Sequence, residues 1–340
     1  MAHLSTFAPG NRLVGLCLVA VCLAATTVVV LAQQPYRATA DLVTVYATVT
    51  DPTGRLVPDL TQDQFTVRDN GKAQPIVLFS NDVQPITIVV MLDRSGSMTE
   101  HFPIIRDAAG TFVKMLLPAD RARVGAFGDQ IVIRPDTFTS DQTELLHDLS
   151  SLSVRGTSPV WLSIDRSITA LMNEPGRRVV LIFTDGHNQV PAGIHTTLED
   201  VTRRAEYDEV MVYTIGFTVA SQPGQPGAGQ GGFGPRRGGP SRGPGGRGGP
   251  PARTNADGST PPDPGLKQLA AATGGGYFEL ARTADLAAVF ARVADELHHQ
   301  YLLAFRPQKL DEKVHSLEVR LKSRDYTVRE RPSYVADPKR

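Results

Sequence analysis

The sequence predicts an α/β domain, with a mostly parallel sheet and helices on both faces, flanked by a small β domain. Three observations lead there. Near-continuous apolar runs occur at residues 86–92, 179–183 and 210–215, as in parallel strands buried on both faces. Stretches with a single apolar helical face alternate with those runs, which implies a sheet covered on both sides. Short alternating strands precede and follow this region.

Taken in order, residues 42–82 read as strands. Val43, Val45 and Val49 sit in β-branched alternation, and Asp51-Pro52-Thr53-Gly54 supplies a turn. Phe65-Thr66-Val67-Arg68 runs into Asn70-Gly71, a strong hairpin signal, and Ile76-Val77-Leu78-Phe79 follows. After the first buried run, Ile105, Ala109, Phe112 and Leu116 share one helical face, as do Leu286, Val289, Phe290, Val293 and Leu297 later. Residues 222–264 are dominated by Gly and Pro, with hardly an apolar side chain beyond Phe233. Such a segment cannot bury enough surface to offset chain entropy and is expected to be disordered. The domain resumes at Leu266-Lys267-Gln268-Leu269-Ala270. Strands return at Tyr301-Leu302-Leu303-Ala304-Phe305, residues 316–321 and Tyr326-Thr327-Val328. Neither strand group is large enough alone, so the two are expected to pair. The expected boundaries are 36–82 for the first β segment, 84–299 for the α/β domain with its insertion at about 220–264, and 300–336 for the second β segment.

At 340 residues there is room for one sizeable domain and a smaller one. Lys+Arg and Asp+Glu balance at 35 each, so overall charge favours neither nucleic acid nor a membrane as partner. Arg12 precedes an apolar run at residues 13–32 that ends Val30-Leu31-Ala32 before Gln33. That is the layout of a cleaved signal peptide, with an uncleaved membrane anchor as the alternative. Either one places the remainder outside the cytoplasm: periplasmic, in the cell envelope, or secreted. Cys17 and Cys22 both lie in this segment, so neither a disulfide framework nor a cysteine-ligated metal is expected in the folded region. Val21 stands where a small residue would precede a lipidated cysteine, which weakens a lipoprotein reading.

The residues with chemistry follow the first buried strand: Asp93-Arg94-Ser95-Gly96-Ser97. Open parallel sheets bind ligands beyond the carboxyl ends of their strands. One carboxylate and two hydroxyls at such an end suit a hard cation, Mg²⁺ or Mn²⁺. Thr157, in Arg155-Gly156-Thr157-Ser158-Pro159, and Asp185, after Leu181-Ile182-Phe183-Thr184, occupy matching places. Asp and Ser also cap helices, but capping does not require oxygens on three separate loops.

These residues resemble the von Willebrand factor type A family and its metal-ion-dependent adhesion site. D-x-S-x-S after an apolar strand, then a Gly-Thr loop, then a strand ending Thr-Asp-Gly occur here in that order. The resemblance covers residues 86–299 without the insertion and implies a Rossmann-like fold. It also implies that Ser95, Ser97 and Thr157 contact a cation through their hydroxyls. Asp93 and Asp185 would act through water or through hydrogen bonds to those hydroxyls. Val57-Pro58-Asp59-Leu60 and Tyr301-Leu302-Leu303 further resemble exported bacterial VWFA-related proteins.

With its carboxylates held back, such a cation keeps charge and an open position. A protein or peptide partner's Asp or Glu carboxylate can fill that position. The expected function is therefore metal-dependent binding, without catalysis, since no nucleophile stands beside an evident base. The alternatives are a metal-dependent hydrolase, with His187 as its only obvious base, and an envelope component whose metal site no longer works.

Other signals are weaker. Arg236, Arg237, Arg242, Arg247 and Arg253 in the insertion fit a solvated spacer better than an RNA-binding segment in an exported protein. His298 and His299 point in different directions on a helix and are expected partly exposed at its end. Asp141, Glu144 and Asp148 read as a solvated helical stripe, and Trp161 as core.

Overall fold

The computed structural model describes residues 42–154, 156–189, 193, 195–218, 259–281 and 285–337. Residues 1–32 with both cysteines, and residues 219–258 with the insertion's arginines, lie outside the described residues.

Val43–Thr50 (β1) opens the described chain and buries Val43, Val45, Ala47 and Val49. Phe65–Asp69 (β2) and Lys72–Gln74 (β3) form a hairpin. Asn70 (φ 47°) and Gly71 (φ 79°) supply the two positive φ angles of its turn. Ile76–Ser80 (β4) follows. Ile86–Asp93 (β5) is then buried along all 8 of its residues.

From there the chain runs through Phe102–Lys114 (α1), Arg121–Phe127 (β6), Ile131–Thr139 (β7), Gln142–Ser151 (α2) and Val160–Leu171 (α3). Arg177–Thr184 (β8), Leu198–Tyr207 (α4), Val210–Phe217 (β9), Pro264–Thr273 (α5), Tyr277–Leu280 (β10) and Leu286–His298 (α6) complete the α/β part. Tyr301–Phe305 (β11), Val314–Leu321 (β12), Thr327–Arg329 (β13) and Ser333–Val335 (β14) end it.

The central sheet has the order β10-β9-β8-β5-β6-β7. Its neighbours pair in parallel except β6 with β7, an antiparallel edge. Because strand side chains alternate, β5 feeds two cores. Ile88, Val90 and Leu92 pack with α1, α2 and α6, whereas Val89 and Met91 pack with α3, α4 and α5. Trp161 belongs to the second core. The sheet is thus mostly parallel with helices on both faces.

Two four-stranded sheets, β13-β1-β11-β4 and β14-β12-β2-β3, share a third core. Both combine early and late strands. Val45 of β1 stands opposite Leu303 of β11, and Val67 of β2 opposite Val319 of β12, each in antiparallel register. A buried polar cluster ties these strands to the α/β part. Glu296 of α6 pairs with Arg329 of β13 and accepts a hydrogen bond from the Tyr213 hydroxyl at 2.6 Å.

Residues just before α5 make specific contacts, and two expectations elsewhere need correction. Pro262 lies against Gly216, and the Asp263 side chain caps α5 by accepting from Gly265 N–H at 2.7 Å. His298 is not partly exposed. It is 7% exposed, and its Nε2 lies 2.8 Å from Asp120 Oδ2, since the end of α6 packs where β5 begins. Asp141 is no helical stripe residue; it is the N-cap of α2, accepting from the N–H groups of Thr143 and Glu144.

Candidate metal centre

β5 and β8 are parallel neighbours, so their carboxyl ends, Asp93 and Thr184-Asp185, emerge side by side. A short 3₁₀ turn, Gly96–Met98, follows Asp93. β6 flanks β5 on its other side and brings Gly128-Asp129 to the same edge. Arg94, only 5% exposed, braces the surrounding loops. Its backbone N–H donates to Phe127 O at 3.0 Å, and its guanidinium reaches Gln130 O at 3.0 Å and Ser153 O at 3.2 Å.

Asp93 is fully buried and Asp185 is 1% exposed. Asp93 Oδ1 accepts the Ser95 N–H at 2.9 Å. Its Oδ2 accepts the hydroxyls of Ser158 at 2.8 Å and Thr184 at 2.6 Å. The Ser95 and Ser97 hydroxyl oxygens are 3.1 Å apart. Ser97 then donates to Asp185 Oδ2 at 2.5 Å, while Asp185 Oδ1 accepts the His187 N–H at 3.0 Å. Burial, with the Asp185 carboxylate adding to it, pushes Asp93 up to about 6.

Asp93, Ser95, Ser97 and Asp185 therefore form one hydrogen-bonded chain. Thr157 sits beside it, because Gly156 O accepts the Gly96 N–H at 3.1 Å. Its own side chain turns elsewhere. Asp129 Oδ1 takes the Thr157 N–H at 3.0 Å and its hydroxyl at 3.4 Å.

Sequence reasoning missed Ser158, Thr184 and Asp129. Thr184 precedes Asp185 and Ser158 follows Thr157, so adjacency was a usable signal for both. Asp129 required knowing that β6 ends on the same edge as β5.

The donor set fits a hard cation. Among the described residues no three His, Cys, Asp or Glu side chains cluster as metal ligands. The oxygens gathered at this edge are two carboxylates and neutral hydroxyls. The hydrogen bonds to Asp93 come from two hydroxyls and a backbone N–H and bring no full positive charge. Ser97 is exposed and Thr157 half-buried, so the hydroxyl side faces solvent.

Residues 87–227 match the family model described as the von Willebrand factor type A domain. This chain carries a von Willebrand factor type A domain. All but the first residue of β5, the D-x-S-x-S turn, the Gly-Thr loop and Asp185 fall inside the matched range. No curated protein matches the chain.

Several solved structures are similar at low identity. An aerotolerance-related membrane protein from Bacteroides fragilis is 16% identical over 62% of this chain and 99% of its own, with a TM-score of 0.43. A von Willebrand factor type A protein from Catenulispora acidiphila is 10% identical over 88% and 75%, with a TM-score of 0.46. Proximal thread matrix protein 1 from the mussel byssus, with a zinc-occupied MIDAS motif, is 12% identical over 68% and 50%, with a TM-score of 0.46.

Proposed function

We propose that this protein is an exported, metal-dependent binding module that captures an acidic group of a protein or peptide partner. Domains of this family are commonly adhesion or protein-interaction modules. The observation that carries the reading is the hydrogen-bonded chain from buried Asp93 through Ser95 and Ser97 to Asp185. It lines up oxygen donors at the sheet edge where such folds bind ligands.

Ser95 and Ser97 would hold Mg²⁺ or Mn²⁺ through hydroxyls, with Thr157 joining them once its hydroxyl turns from Asp129. Asp93 and Asp185 supply the negative charge from behind and orient those hydroxyls. A bound divalent cation supplies a positive centre that a partner's Asp or Glu carboxylate oxygen can complete. Asp129 positions Thr157 from the β6 side, and Ser158 and Thr184 fix the Asp93 carboxylate. The serine hydroxyls donate to the carboxylates that balance the cation's charge, and among the described residues no histidine side chain is hydrogen-bonded to them, which supports binding over hydrolysis. Export rests on the apolar segment at residues 13–32, which is either removed or retained as a membrane attachment.

Selection of a random peptide library on the protein in Mg²⁺ tests this reading. Enriched peptides should carry Asp or Glu, elute with EDTA, and fail to bind Asp93→Ala. Enrichment indifferent to EDTA and to Asp93→Ala would overturn the metal-dependent reading.

A further inference from the structure

A groove of about 570 Å³ leaves the metal edge and runs between β7 and α3. At its head is Asp129, which accepts the Thr157 N–H and hydroxyl. Ile131 and Ile133 of β7 make one wall, and Pro159, Leu162 and Arg166 make the other. Those last three are spaced 3 and 4 in sequence, so they share one face at the start of α3. The groove is thus continuous with the candidate cation site.

Topology explains why it stays open. α3 packs on β5 and β8, whereas β7 is the outermost strand, beyond β6. Ile131 and Ile133 point to one face because strand side chains alternate. They meet the core beneath α3 yet remain half-buried, as does Leu162. Apolar surface left uncovered and rimmed by polar residues is a common mark of an interaction site. The volume lies within the roughly 300–1,000 Å³ of ligand sites.

Charge along the groove is asymmetric. Asp129 is exposed at the head, where it disfavours a further carboxylate and favours an uncharged side chain. Farther along, Arg166 is exposed and makes no hydrogen bond or ion pair among the described residues. It is a cation open to an acidic group.

We propose that this groove selects the sequence around the partner's acidic residue. The partner is an extended peptide segment with its acidic residue on the cation. An apolar side chain two residues away enters the groove, and a second acidic residue, four away, meets Arg166. This selection rests on the cation reading and adds a sequence requirement to it. Spacing sets the positions. Arg166 lies seven residues beyond Pro159, about 10 Å of helix at roughly 1.5 Å per residue. An extended chain covers about 13 Å in four residues and turns every second side chain to the same face.

The probe is a phage-displayed peptide library with Asp fixed at its centre and four randomised residues on either side. A second library carries Asn at the fixed position. Both are selected on the full chain in Mg²⁺ and eluted with EDTA, and circular dichroism verifies the fold of each variant. Wild type should enrich peptides with an apolar residue two positions, and an acidic residue four positions, to one side of the Asp. Leu162→Ser should weaken the apolar preference, and Arg166→Glu should exchange the acidic preference for Lys or Arg. An enriched peptide should bind Arg166→Glu about five- to tenfold more weakly than wild type, and Lys in place of its second acidic residue should reverse that order. Enrichment that needs Mg²⁺ and the fixed Asp but shows no preference at the other two positions would overturn the groove and leave the cation reading standing. Unchanged preferences on Arg166→Glu would do the same. Equal recovery from the Asn library would sink the cation reading, and the groove with it.

Discussion

The Ser97 hydroxyl donates to Asp185 Oδ2 at 2.5 Å across 88 residues of sequence. It connects the turn after one central strand to the end of its parallel neighbour. Two loops are thereby set as one oxygen-lined edge, with Asp93 buried beneath. Stability and cation binding should compete at this edge.

Asp93→Asn isolates that competition. Without cation, ionised Asp93 is buried beside a second carboxylate, and the variant removes the repulsion while retaining an acceptor oxygen. The metal-free variant should be more stable than wild type at pH 8 by roughly 1–2 kcal/mol. It should also lose the stabilisation that Mg²⁺ gives wild type. Thermal melts with and without Mg²⁺ measure both effects, and a less stable metal-free variant would count against the repulsion.

Gly186 follows Asp185 at φ +80°, and a Cβ there would lie 2.4 Å from the Asp263 backbone nitrogen. Gly186→Ala therefore meets both a left-handed backbone and a close approach to the start of α5. A loss of roughly 2 kcal/mol or more is expected in urea denaturation. A loss under about 0.5 kcal/mol would show that the approach relaxes freely.

Burial pushes Glu330 up to about 7, although its carboxylate accepts the Val319 N–H at 2.8 Å. A carboxyl with a raised folded-state value holds its proton longer when folded than when unfolded. Its contribution is complete below about 4.5 and is lost as pH rises through about 7. Glu330→Gln keeps an acceptor and removes the titration. Its stability advantage should grow across that window and level off near roughly 1–2 kcal/mol at pH 8. A pH-independent difference would rule out this linkage.

Glu296 is 2% exposed and meets Arg329 and the Tyr213 hydroxyl. Glu296→Ala leaves the half-buried Arg329 guanidinium without its carboxylate, though still beside Thr48 and the Tyr213 hydroxyl, a change expected to cost roughly 1–3 kcal/mol. Because this cluster joins β13 to the α/β part, denaturation of wild type should show one transition, shifted but still single in the variant. Two separate transitions in wild type would mean that the β strands unfold independently.

Much of this was legible where local pattern decides the outcome. The apolar runs around Val90, Leu181 and Val212 required strands buried on both faces, and Asn70-Gly71 required a hairpin. D-x-S-x-S placed Asp93, Ser95 and Ser97 on one turn without help from the fold. Long-range partners were hidden. Asp129 gains its role only because β6 lies beside β5. His298 is buried because Asp120, 178 residues away, waits at the base of β5. The Arg329–Glu296 pair likewise depends on where β13 docks. Pro262 and Asp263 looked like the tail of a Gly/Pro-rich stretch. Contacts with Gly216 and the α5 N-terminus, both nonlocal or context-dependent, fix their placement.

Calorimetric titration of Mg²⁺ and of Mn²⁺ into the wild-type chain, beside Asp93→Ala, tests the central claim most directly. Saturable binding of one cation per chain is expected in the wild type and abolished in the variant. Binding that persists in Asp93→Ala, or no binding to the wild type, would contradict a cation site built on Asp93, Ser95, Ser97, Thr157 and Asp185.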